Sequence, residues 1–98
     1  MSGEILVNGK PIRYDLVPVG YMADGLRLYF ERGIHPGSFM LAILEGDLYR
    51  ACGHADSTNK HHIWDWVSWF YNYAPSGSYG SLEAVKHWVE RHNMDEAV

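Results

Sequence analysis

The sequence predicts an α+β domain that is mainly helical. A β-hairpin is expected over 5–16, about four packed α-helices over 20–93, and a frayed tail over 94–98. Three observations carry this. Asn8-Gly9, a dipeptide that accepts positive φ at both central positions of a type I′ turn, stands between Ile5-Leu6-Val7 and the alternating Ile12, Tyr14 and Leu16. From residue 20 onward the apolar residues instead recur at helical spacings, with Gly, Pro and Ser between the stripes. The chain is 98 residues long with 47% hydrophobic and 20% charged residues, which suits one domain around one core.

Each element has its own signal. In the hairpin, Arg13 and Asp15 alternate with the apolar residues, and Pro11 places the second strand at an edge because it has no N–H to donate. A lone hairpin is marginal in water, so its apolar face is expected on the helices. Pro18 and Gly20 end it. Met22, Leu26, Tyr29 and Phe30 form the first helical stripe, and Gly33 is placed to stop that helix. Pro36 suits the first turn of a second helix carrying Phe39, Ile43, Leu44, Leu48 and Ala51, interrupted at Gly46 and ended near Gly53. Asp56 or Ser57 caps a third helix that runs to Tyr73, with Ile63, Trp66, Val67 and Phe70 on one face and Trp64, Trp69, Tyr71 and Tyr73 around the rest. Ser81 caps a fourth, striped by Val85, Trp88, Val89 and His92.

Composition excludes several functions. Eight basic against twelve acidic residues give a net charge of −4, so neither nucleic acid nor an anionic membrane is the expected partner. The longest central apolar run, Phe39 to Leu44, is too short to span a bilayer. No signal peptide or lipidation motif is visible, and the single cysteine, Cys52, suits a reducing compartment, so a cytoplasmic location is expected.

Candidate sites are few. Asp47, Asp56 and Asn59 could line a polar pocket between the second and third helices, although Asp and Asn at helix starts are usually caps and Asp47 could pair with Arg50. His54, Asp56 and His62 could converge, but no ligand spacing of a known metal motif is present, and no metal or cofactor is expected. The turn around 53–57 could belong to a helix-turn-helix with Asn59, Lys60, His61 and His62 at its reading end, yet basic residues are sparse there. The loop from Ser76 to Ser81 feeds a helix N-terminus and could hold a small anion, with Tyr71, Tyr73 or Tyr79 stacking on a base. Cys52 is expected inside a helix as a structural thiol, and no nucleophile motif appears, so the chain is read as non-catalytic. Fourteen percent of the residues are aromatic, and Trp64, Trp69, Tyr71 and Tyr79 compete for limited inside positions. Some of them are expected to form a patch for a protein partner or a second copy of the chain.

An ordered series of short motifs runs through the chain: Gly33-Ile34-His35-Pro36-Gly37-Ser38-Phe39, Gly46-Asp47-Leu48, Ala55-Asp56-Ser57-Thr58-Asn59, Phe70-Tyr71-Asn72-Tyr73-Ala74-Pro75, Gly80-Ser81 and the Trp88 helix, with Tyr21-Met22 and Gly25-Leu26 upstream. In this order and spacing, over about three-quarters of the chain, it resembles small uncharacterised proteins encoded by tailed bacteriophages and prophages. It departs from them at Gly46, where asparagine is commoner, and at Ser78 and Tyr79, where cysteine and tryptophan are frequent. The hairpin lies outside the shared pattern. The resemblance implies a phage-derived accessory protein and brings no reaction with it. The expected function is binding and inhibition of a host or bacterial-defence protein. The alternatives are an oligomeric small-molecule or nucleotide-binding protein and, third, a DNA-binding helix-turn-helix protein.

Overall fold

The structure, a computed structural model, describes the backbone of residues 6–7 and 9–97 and the side chains as far as His92. Ile5, Asn8 and Val98 lie outside the described residues, and with them the first half of the Asn8-Gly9 turn. Strand β1 (Leu6–Val7) pairs antiparallel with β2 (Lys10–Pro11), Leu6 opposite Pro11 and Val7 opposite Lys10. Gly9 takes φ +79°, as the predicted turn requires.

The second strand stops at Pro11 rather than continuing to Leu16. Beyond Pro11 the chain prefers local bonds. Tyr14 N–H donates to Ile12 O at 3.0 Å around Arg13 at φ −86°, ψ 71°, which is an inverse γ-turn. Tyr14–Leu16 then closes a 3₁₀ turn, and Arg13 and Asp15, expected on the same strand face, grip each other at 2.7 Å. The apolar alternation therefore marks burial of Ile12 and partial burial of Tyr14, not a strand.

A second 3₁₀ turn, Gly20–Met22, leads into α1 (Ala23–Arg32). Leu26, Tyr29 and Phe30 are its buried face. Gly33 ends it at φ +67° with its N–H on Tyr29 O. A Cβ at Gly33 would lie 2.6 Å from His92 Cβ, so this glycine also lets the first and last helices meet.

The expected second helix is two helices, α2 (Ser38–Glu45) and α3 (Leu48–His54). Gly46, at φ +78°, donates to Ile43 O while Asp47 N–H donates to Ala42 O, the paired bonds of a Schellman ending. Asparagine is the other residue that accepts this left-handed conformation. Gly46 also faces Gly80 O, and Gly80 N–H donates to Leu44 O at 2.7 Å, which stitches the 76–81 loop to the end of α2.

A 3₁₀ turn (Asn59–His62) precedes α4 (Ile63–Tyr73), and Ser81 Oγ accepts from Ala84 N at 3.0 Å to start α5 (Leu82–Ala97). The backbone of α5 is helical through Ala97. Phe30 is the hub of the core. Its ring contacts Trp69 of α4 at 6.2 Å, Phe70 at 6.3 Å edge-on and Trp88 of α5 at 6.5 Å edge-on. Each such large side chain, when fully buried, contributes about 1.5–3 kcal/mol. Among the described residues no helix is long and apolar enough to cross a membrane.

Candidate functional site

Tryptophans settle which faces are inside. Three of the four are buried, and each finds an acceptor for its indole N–H: Trp66 on Asn59 Oδ1 at 2.9 Å, Trp69 on Arg13 O at 3.1 Å and Trp88 on Tyr29 O at 3.0 Å. The fourth, Trp64, is 82% exposed. Large aromatic side chains go inside when both the ring and the N–H are accommodated.

This corrects the expected face of α4. Trp69 is 3% exposed and Val67 lies outside, whereas the sequence placed Val67 in the core face. Both arcs have helical spacing. Trp69 wins because it covers more area and because the γ-turn after β2 presents Arg13 O to it. Trp69 is therefore removed from the partner- or ligand-binding candidates. Outside, Trp64, Val67 and Tyr71 stand at i, i+3 and i+7, a single apolar stripe. Tyr71 is 80% exposed. Beside the stripe, α4 carries a polar face in which His62 Nδ1 lies 3.0 Å from Asp65 Oδ2 and Asn72 donates to Ser68 O at 2.8 Å.

Two clefts border the stripe. One, of about 270 Å³, is lined by Ile43, Gly46, Leu48, Val67, Phe70, Tyr79 and Gly80. The other, of about 570 Å³, lies between the hairpin and the end of α4, lined by Leu6, Val7, Tyr71, Asn72, Ala74, Ser76, Gly77 and Tyr79. Tyr71 and Tyr79 thus come together beside the 76–80 loop, while Tyr73 does not line this cleft. Leu6 and Leu48 join the surface without any signal in the sequence, since periodicity puts Leu48 on the core stripe of one unbroken second helix and Leu6 sits in a strand.

The polar candidates divide. Asp47 caps α3, accepting from Arg50 N at 3.0 Å, and its other oxygen lies 3.7 Å from the Arg50 guanidinium, which holds Glu45 at 2.6 Å. Asp56 lies beyond the far end of α3, about 10 Å of helix away. The expected pocket shared by Asp47, Asp56 and Asn59 therefore does not form. Asp56 Oδ1 accepts from Asn59 N at 2.7 Å and caps the turn before α4, while Oδ2 accepts from the Tyr21 hydroxyl. The Tyr21 hydroxyl and the Asn59 N–H together hold the Asp56 carboxyl below its ordinary pKa, and Tyr21 is raised by the same bond. Asn59 is 2% exposed with its amide oxygen on Trp66, so it cannot reach a base edge as the helix-turn-helix reading required.

The remaining candidates resolve similarly. His62 turns to Asp65, away from the set with His54 and Asp56, and among the described residues no three His, Cys, Asp or Glu side chains converge on a metal-sized point. Cys52 is exposed on α3 instead of being a buried structural thiol, because Ala51 takes the one inward position of that short helix. Arg13, Arg27 and Arg50 are each committed to a carboxylate, at 2.7, 3.9 and 2.6 Å. In the loop before α5, Ser78 is buried, with its hydroxyl on Pro75 O at 2.6 Å and its carbonyl accepting the Tyr29 hydroxyl at 2.7 Å.

No protein-family model, curated protein or solved structure matches the chain.

Proposed function

We propose that this chain is a phage-derived accessory protein that works by binding, inhibiting a host or bacterial-defence protein in a stoichiometric complex in the cytoplasm of the bacterium. The observation that supports the reading is the exposed stripe on α4. Trp64, Val67 and Tyr71 give a partner two large amphipathic rings around a small centre, next to an apolar cleft bounded by Leu48 and Tyr79. Aromatic anchors beside such a pocket carry most of the energy of protein interfaces. The net charge of −4 disfavours a phosphate backbone as the partner, consistent with a protein partner.

Capture from bacterial lysate tests this. The tagged chain retains one protein at near-equal molar yield, and the double variant Trp64→Ala/Tyr71→Ala loses it while keeping its circular dichroism. Equal capture by the variant refutes the α4 surface, and no retained protein refutes the inhibitor.

The 570 Å³ cleft beside Tyr71 and Tyr79 supports a second reading, a small-molecule or nucleotide site with an aromatic wall. Native mass spectrometry of protein purified from its host separates the two, since only the second reading yields a ligand-bearing species.

A further inference from the structure

We infer that the α4 stripe also pairs two copies of this chain, antiparallel about a two-fold axis at Val67. This rests on the reading of α4 as the binding surface. The stripe is self-complementary. A two-fold axis at Val67 sets Trp64 of each copy against Tyr71 of the other, and the small central side chain lets the helices approach. The cleft between Leu48, Phe70 and Tyr79 opens next to Val67 and offers an apolar recess to a ring from the other copy.

Area supports a second copy. Leu48 and Val67 are 52% and 44% exposed and add to the two rings. With 150–250 Å² for a large aromatic side chain, the surface offers on the order of 400–500 Å² of apolar area per copy. Complete burial of this surface in both copies would remove roughly 800–1,000 Å² of apolar area, which at the apolar share of about 65% found in homodimer interfaces corresponds to at most about 1,200–1,500 Å² in total. Specific interfaces begin at about 1,200 Å². The stripe positions carry no charge, and Asp65 is turned to His62 on the neighbouring face, so pairing strands no carboxylate in a dry contact.

Sedimentation equilibrium from about 1 to 200 µM, spanning a micromolar Kd, tests the pairing. The expected result is a monomer–dimer equilibrium, weakened at least about tenfold, or about 1.4 kcal/mol, by Trp64→Ala/Tyr71→Ala and unchanged by Leu28→Ala on α1. Trp64 is the one strongly exposed tryptophan, so concentration also shifts the emission of the wild type to the blue and leaves that of Trp64→Phe in place. Added NaCl tightens the dimer, because it screens two chains of charge −4. A monomer at 200 µM, a dimer untouched by the double variant, or a dimer loosened by salt overturns the inference. These outcomes are independent of lysate capture: a monomer that still captures a host protein loses only the pairing, and a dimer that captures nothing loses only the inhibitor.

Discussion

Replacing Asn59 by alanine separates a buried scaffold residue from a site residue. Its backbone N–H caps onto Asp56 and survives the substitution, so only the side chain is lost. That side chain is the acceptor for the indole N–H of Trp66, a tryptophan with no exposed surface. Stranding a buried donor costs about 1–3 kcal/mol. The vacated carboxamide adds about 1 kcal/mol if it leaves a void on the order of 40 Å³. The expected loss is therefore about 2–4 kcal/mol, or roughly 8–30 °C in Tm for a domain of this size. Urea unfolding followed by far-ultraviolet circular dichroism measures it without depending on tryptophan emission. Repeating Asn59→Ala in a Trp66→Phe background removes the donor, so the same substitution then costs about 1–3 kcal/mol less. A loss below about 0.5 kcal/mol, the range of ordinary surface changes, refutes the reasoning. So does an equal loss in the Trp66→Phe background.

Gly33→Ala is expected to be more damaging than its size suggests. It forces a side chain into φ +67° and drives a Cβ to 2.6 Å from His92 Cβ, for a combined cost of about 2–5 kcal/mol visible in thermal melts. A loss under about 1 kcal/mol would show that α1 and α5 separate freely. Acid stability should depend on Tyr21. The Asp56 pKa is lowered in the fold, so its contribution is present above the ordinary carboxylate pKa and is lost as pH falls through the folded value. Tyr21→Phe therefore flattens the stability loss on the acid side of a urea titration across pH, and an unchanged acid limb refutes the Tyr21–Asp56 link. Cys52 should react with a thiol-specific reagent in the folded protein, one equivalent per chain, at a rate insensitive to mild urea. Reaction only upon unfolding would place the thiol inside.

The sequence by itself determined the fold class and most helix ends, because those signals are local. Gly33 stops α1, Ser81 Oγ starts α5 and Asp56 caps the turn before α4, each through bonds within a few residues. The core faces of α1 and α5 were equally legible, since Leu26, Tyr29 and Phe30, and Val85, Trp88 and Val89, are each a single apolar stripe against polar surroundings. Tertiary structure alone decided the rest. Around α4 nearly every face is aromatic, so periodicity cannot choose between Val67 and Trp69. The choice falls to Phe30 and Arg13 O, which come from elsewhere in the chain. Gly46 reads as a weak point in one helix, but its left-handed turn and close approach to Gly80 O make it the joint between two. The alternation from Ile12 to Leu16 has the period of a strand, but its backbone closes on itself in a γ-turn and a 3₁₀ turn, which local periodicity does not distinguish from an extended chain. The exposed Trp64–Val67–Tyr71 surface belongs to this second group: it is what remains outside once the interior has taken the three tryptophans whose N–H groups it can satisfy.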